Sequence, residues 1–483
     1  MSAKFLLNQN DNYKANFGEV YRSSSIFYYI SSPSKRVKTE LSFMNYWEIK
    51  NNLTVSIIAN IRTLEGKLLK REKVSFNDGE VFNFSPFSNE EFEGSVEFEI
   101  FSIQNMRFPY PAIMVSYIGN SHSTMTHSYA RIYSQHEIED SKIVPVGYES
   151  CWAVKDNDKF KSFCVFHNGN EVCEEQDVSL TLKKYGSLEE RSKTIKLPAL
   201  RPFETVKIYP SDHFENISNF LDGVVGNVSI DFKLKNAFTR MLVGHENVED
   251  GSLQVTHSNF NYRKINTNLL EGAEAVFIPP MLENVDCYNV IIYPDFTEGE
   301  YIVQNGEMTD VIKSGEISKL PVSGGERLKF LSKDISSIPS RLVLGIEFGK
   351  ANWHLGECSL NIFHSEKPFK RFHWGSFIVG QNIESRLIFT DIREFFGEVE
   401  QESEFVLRFY SQKNKGYIER KFSGKDIEKL SSEGFLITSD DEILDFVGSG
   451  TSWWSIFSEY GGLFPYVMVQ DNKRKSITVE HAF

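Results

Sequence analysis

Apolar and polar side chains alternate along much of this chain. Leu53, Val55 and Ile57 show the period, as do Leu180 and Leu182. A period of two fits a β-strand, whose successive side chains point to opposite faces. Turn residues recur about every eight to twelve positions, a spacing that predicts antiparallel sandwiches or barrels and not βαβ units.

The alternation is organised into a repeat with four landmarks. The first is a closing strand that ends in histidine. It reads Ser123-Thr-Met-Thr-His127, Ser252-Leu-Gln-Val-Thr-His257, Ser359-Leu-Asn-Ile-Phe-His364 and Ser476-Ile-Thr-Val-Glu-His481, so four of the eleven histidines hold one equivalent place. The second is a strand and turn before it: GSVEFEIFSIQNMRFPY at 94–110 aligns without a gap to GTSWWSIFSEYGGLFPY at 450–466. The third is a short helix between sheets, predicted to start at Ser88, Ser211, Ser332 and Ser439. Ser88 and Ser439 each have Glu three residues on, the spacing of a capping box. The fourth is an early strand with Phe43-Met-Asn45 and Phe166-His-Asn168, preceded by a large ring at Tyr29, Trp152, Phe277 or Trp374 that is expected in a core.

These landmarks predict an all-β chain of four tandem antiparallel β-sandwich repeats, Ig-like or jelly-roll-like, with short crossover helices. The expected boundaries are 1–137, 138–265, 266–366 and 367–483, the third repeat being the shortest.

Composition agrees and narrows the function. Forty Phe and twenty Tyr suit strands. The net charge of −14 comes without a long basic run, which argues against nucleic acid or an anionic membrane as partner. No apolar run reaches the roughly 20 residues of a membrane span, and the first residues do not read as a secretory signal. The expectation is a cytoplasmic protein, with export by a non-classical route left open. Cys151, Cys164, Cys173, Cys287 and Cys358 are odd in number and lack C-x-x-C spacing, so free thiols are expected and no metal cluster.

Chemistry-bearing residues concentrate in two segments. Segment 120–137 contains His122, His127, Arg131 and His136. On a strand His127, Tyr129 and Arg131 share a face that could bind a carboxylate or phosphate. Segment 448–466 contains Trp453, Trp454, Tyr460 and Tyr466. The alignment sets Trp454 at the core-facing position of Phe98 and Trp453 at that of Glu97, so Trp453 is expected to face solvent, where an exposed ring can meet a sugar face or a protein. The recurring histidines fall on the apolar face of their strands. The expected state is a buried imidazole bonded to a carbonyl or hydroxyl, with a seam between repeats as the alternative. No metal ligands are expected, because no repeat supplies partner ligands at fixed spacing. Phosphate-binding loops, nucleophile elbows and H-E-x-x-H are all missing from the sequence, and no cofactor is expected.

The sequence therefore reads as a non-enzymatic binding or scaffold protein, with carbohydrate, a polymeric surface or a protein as partner and an open oligomeric state. One alternative is an enzyme centred on 120–137. Another is a structural subunit of a larger assembly.

Overall fold

The computed structural model describes residues 22–483 except 77–78, 104–107, 109–110, 128, 135–136, 139–149, 185–186, 224, 239, 259–273, 293–299, 307, 314–317, 334–340, 349–351, 360–370, 392–403 and 459–462. The fold is all-β, and the described residues form eight four-stranded antiparallel sheets. The first eight strands are β1 (Ser23–Ser31), β2 (Lys38–Met44), β3 (Val55–Thr63), β4 (Leu68–Val74), β5 (Val81–Phe84), β6 (Phe92–Ser102), β7 (Ile113–Ile118) and β8 (Ser123–His127). They make two sheets, β1-β6-β3-β4 and β5-β2-β7-β8. A second octet of strands runs from Cys151–Val154 to Leu253–His257, a third from Glu274–Phe277 to Asn352–Ser359, and a fourth from Arg371–Val379 to Ser476–His481. In each octet one sheet has the order first-sixth-third-fourth and the other fifth-second-seventh-eighth.

Strand β6 shows how alternation is used. Val96, Phe98 and Ile100 enter an apolar cluster, and the strand pairs with β1 on one side and β3 on the other. Its opposite face is also buried. Glu97 accepts hydrogen bonds from Ser24 Oγ (2.8 Å), Asn60 Nδ2 (3.1 Å) and Arg62 (3.2 Å). A carboxylate taken out of water needs such donors. The landmark rings Tyr29, Trp152, Phe277 and Trp374 all lie buried on the first strand of an octet.

The predicted helices fare unequally. A turn occupies the residues around Ser88, and Glu91, expected to close a capping box, instead accepts from Ser34 N (2.9 Å). Near Ser211 a 3₁₀ turn, Pro210–Asp212, leads to α-helix Ile217–Leu221. Ser332 belongs to strand Leu328–Lys333, and the residues that follow lie outside the described ones. The last helix, Asp441–Val447, is capped by Asp440 and not Ser439: the Asp440 side chain accepts from Ile443 N (3.1 Å) and pairs with Arg420 (2.8 Å). A carboxylate at that position answers both the open N–H and the positive end of the helix dipole. Helix Tyr46–Asn51, which the pattern did not predict, buries Tyr46 and Trp47.

The last strand of the third octet is Asn352–Ser359, earlier than the expected 359–364. Residues 360–370, with His364, lie outside the described ones, as do the expected boundaries at 265 and 366. Among the described residues, Cys151, Cys164, Cys173 and Cys287 form no disulfide.

Apolar clusters cross the octets. One joins residues of the first, second and fourth, among them Ile26, Val255 and Trp453. Another joins Phe330 and Ile346 of the third to Met468 and Val479 of the fourth. Polar contacts follow the same junctions: Tyr46 stacks on Trp374 with centroids 4.9 Å apart, Thr205 N donates to Leu64 O (2.8 Å), and Tyr466 Oη donates to Ile278 O (2.8 Å).

Candidate functional site: a hub of closing strands with histidines at both ends

Each octet ends on an edge strand, which exposes a row of backbone groups open to pairing with another chain. The four such strands, β8, Leu253–His257, Asn352–Ser359 and Ser476–His481, meet one another. Strand Ser476–His481 presents Ser476, Thr478 and Glu480, every second residue, to the backbone and side chains of β8. Ser476 Oγ accepts from Ser123 N (3.3 Å). Thr478 Oγ1 accepts from Met125 N (3.4 Å) and donates to Met125 O (3.3 Å). Glu480 Oε1 lies 2.7 Å from His127 Nδ1. On another side Thr124 Oγ1 donates to Leu253 O (3.2 Å), and Gln254 Nε2 donates to Leu355 O (3.4 Å). Gly356 passes so near Val479 that a Cβ on it would fall 2.5 Å from the Val479 Cβ. Partner residues advance together along the strands, so the strands run side by side in one direction.

That direction gathers three of the four recurring histidines at the finishing end. His127, His257, His481 and Glu480 bring one ligand-capable atom each within 4.8 Å of one another. The His127 ring centroid is 4.4 Å from those of both His257 and His481. His257 Nδ1 donates to Ser258 O (2.9 Å) and His481 Nδ1 to Ala482 O (2.9 Å), which makes Nε2 the basic nitrogen of each ring. Arg240, buried, directs NH1 at His127 Nε2 (3.3 Å), so His127 holds its proton on Nδ1 and donates it to Glu480. Burial pushes the Glu480 carboxyl up to about 7 against the opposing pull of His481 and its hydrogen bonds.

The starting end is different. His122 packs against His354 (centroids 5.4 Å apart) and Phe160 (5.8 Å), and Phe160 against His245 (5.3 Å). His354 Nε2 donates to Lys475 O (3.1 Å). Burial lowers His122 to about 4 and drives His354 well below its ordinary value, so both are neutral imidazoles.

The residues singled out in the sequence are distributed as follows. His127 joins the finishing cluster and His122 the starting one. Arg131 does bind a carboxylate, but that of Glu137 (2.6 Å), whose other oxygen accepts from Ser134 N (2.8 Å). His136 and Tyr460 lie outside the described residues. The expected solvent-facing position of Trp453 is corrected: its ring is fully buried, Nε1 donates to Ser42 Oγ (2.8 Å), and it stacks on Phe483. Trp453 does point away from Trp454, as alternation demands, but the first octet covers that face. Trp454 and Tyr466 are buried too. The reason given for expecting no metal ligands does not hold, because the partners of each histidine come from other octets. Sequence reasoning missed Glu480 and Arg240. Glu480 had a signal, since it is the one acidic residue directly before a recurring histidine; Arg240 had none.

Three imidazoles and a carboxylate form a nitrogen–oxygen donor set suited to zinc and similar divalent ions. Carbonyl bonds at Nδ1 are the usual means of orienting ligand histidines.

No family model matches the chain, and no curated protein matches it. Among solved structures, a Bacteroides uniformis beta-glucuronidase 2 covalently bound to cyclophellitol-6-carboxylate aziridine is similar at 12% identity and a TM-score of 0.12, over 61% of this chain and 28% of that one. The chicken CNTN1 FN1-FN3 domains are similar at 10% identity and a TM-score of 0.11, over 64% of this chain and 89% of that one.

Proposed function

We propose that this protein is a non-enzymatic scaffold: four β-sandwich units, each octet's two sheets packed face to face, derived from one duplicated unit and clamped into a single block. The observation that carries the reading is the mutual packing of the four closing strands. It hides four sheet edges that would otherwise be open to pairing, and it accompanies apolar clusters that cross the octets. Independent domains joined by linkers share smaller and more polar interfaces. The enzyme alternative loses support, because His122, His127 and Arg131 are all buried and engaged in packing or internal bonding. The sugar-binding form of the reading loses its motivating residue with the burial of Trp453. A protein or polymeric surface met through exposed edges is the partner class that remains favoured.

Equilibrium unfolding followed by tryptophan fluorescence and by circular dichroism tests the block. One cooperative transition, coincident by both probes, is the expected result. Separate transitions for separate units would overturn it. Turnover of a substrate panel that disappears in His122→Ala, with melting temperature unchanged, would overturn the non-enzymatic part.

A second reading, subunit of a larger assembly, draws on β4. This strand lies at a sheet edge, and Leu68 and Leu69 are 42% and 48% exposed. Sedimentation across a range of concentrations checks it, with self-association abolished by Leu69→Lys as the outcome in its favour.

A further inference from the structure

The structure assigns a second role to the finishing end of the hub: we propose that His257, His481, His127 and Glu480 bind one divalent transition-metal ion of the zinc class, which ties together closing strands of the first, second and fourth octets.

Four observations support the site. The four donors come from three closing strands more than a hundred residues apart in sequence and place ligand-capable atoms within 4.8 Å of one another. Two of the imidazoles are held by Nδ1 bonds to backbone carbonyls, which set Nε2 as the nitrogen that can take a metal. The Glu480 side chain is fully buried, and its Oε2 meets no hydrogen-bond partner among the described residues. A carboxylate oxygen with a lone pair, out of water and beside three imidazoles, is a ligand position in chemical terms. Finally, the strands are already in contact, so an ion here would join elements that are packed together without it.

Arg240 opposes a cation and dictates how the ion enters. Its NH1 faces His127 Nε2 at 3.3 Å, so His127 ligates through the side turned to Glu480. The Nδ1–H bond of His127 then breaks, a nitrogen–metal bond forms, and the proton leaves to solvent, as proton release on metal binding requires. The nitrogen opposite the metal remains hydrogen-bonded to the guanidinium. The ion's two charges are met by Glu480 and by the deprotonated His127 ring, whose negative charge Arg240 stabilises. Nitrogen and oxygen donors without sulfur favour zinc, cobalt or nickel over magnesium or calcium, which prefer oxygen alone.

The test uses the full-length chain, stripped of metal by a chelator and dialysed. Zn²⁺ is added and bound metal is counted by mass spectrometry; Co²⁺ is added separately and its visible absorption recorded. The expected results are one equivalent of Zn²⁺, a Co²⁺ band of four-coordinate intensity, and an upward shift of melting temperature on adding Zn²⁺. His257→Gln and Glu480→Gln keep the side-chain sizes close and can be checked for folding by circular dichroism. Each should remove the Co²⁺ band and the shift in melting temperature, while His122→Ala keeps both. A folded protein that takes up no stoichiometric metal overturns the proposal. So does metal retained undiminished in the His257→Gln, His481→Gln double variant, which would assign the ion to acidic residues elsewhere on the surface.

Discussion

The two ends of the hub carry the same residue type in different electrostatic settings. At the finishing end, His127 sits between a carboxylate and a guanidinium, and Glu480, Arg240 and the imidazoles form one polar network. At the starting end, His122, His245 and His354 lie among Phe160 and Phe348, and His122 and His354 act as neutral aromatic plates. What separates them is the partner that each neighbouring strand supplies. Glu480 brings a charge to one end, whereas at the other the pull of Asp250 on His122 is smaller than the opposing effect of burial. A histidine is therefore not in itself a polar feature of a strand end; its surroundings decide whether it acts as a hydrogen-bonding group or as a ring.

The sharpest way to break this contrast is to remove the anion. Glu480→Ala leaves the buried His127 Nδ1–H without its acceptor, and an unsatisfied buried polar group costs about 1–3 kcal/mol. Chemical denaturation should show a large drop in the midpoint. Replacement of Glu480 with no change in midpoint would mean that the finishing end is as indifferent to charge as the starting end.

Gly356→Ala tests the contact between strands that both ends depend on. The added methyl meets Val479 at 2.5 Å, and overpacking of this kind costs about 1–3 kcal/mol. Val479→Ala in the same chain should recover part of the loss, which a double-mutant cycle measures.

The starting end should announce itself in the pH dependence. Burial lowers the folded His122 from 6.5 to about 4. An unfolded chain therefore takes up the proton first as pH falls. The neutral folded form has its full stability above pH 6.5 and loses it progressively down to about pH 4, with a slope of up to about 1.4 kcal/mol per pH unit for each such group. Urea unfolding at pH 7, 6, 5 and 4.5 measures it.

The smallest effect is expected from His122→Phe. The ring keeps its packing on Phe160 and His354 and loses only its titration, so stability at pH 7 should move by less than about 1.5 kcal/mol. The difference between variant and parent should grow in the variant's favour as pH falls. A large loss at neutral pH would show that the His122 nitrogens do polar work.

Much of the fold was legible before any coordinates. Alternation marked the strands, and the landmark rings Tyr29, Trp152, Phe277 and Trp374 lie on the first strand of an octet, as large buried rings on early strands should. The recurring His127, His257 and His481 do end their strands, and two of them do bond to carbonyls as expected. The helix starts were less legible. Ser88 and Ser439 had the spacing of a cap, but Glu91 and Asp440 had better partners nearby, in Ser34 and in Arg420 with the Ile443 N–H. Local spacing cannot weigh a partner that is distant in sequence.

Trp453 and Glu480 mark the same limit at the site. The period of two correctly set Trp453 opposite Trp454. By itself, then, the sequence determined which side of its strand each residue occupies, because that side depends only on backbone geometry between neighbours. Only the tertiary structure decided what covers that side. The first octet lies over Trp453, so a ring expected in water is buried; strand β8 lies over Glu480, so a carboxylate meets a histidine 353 positions away. The free energy of burial and of charge depends on those neighbours, which the packing of four closing strands brings together.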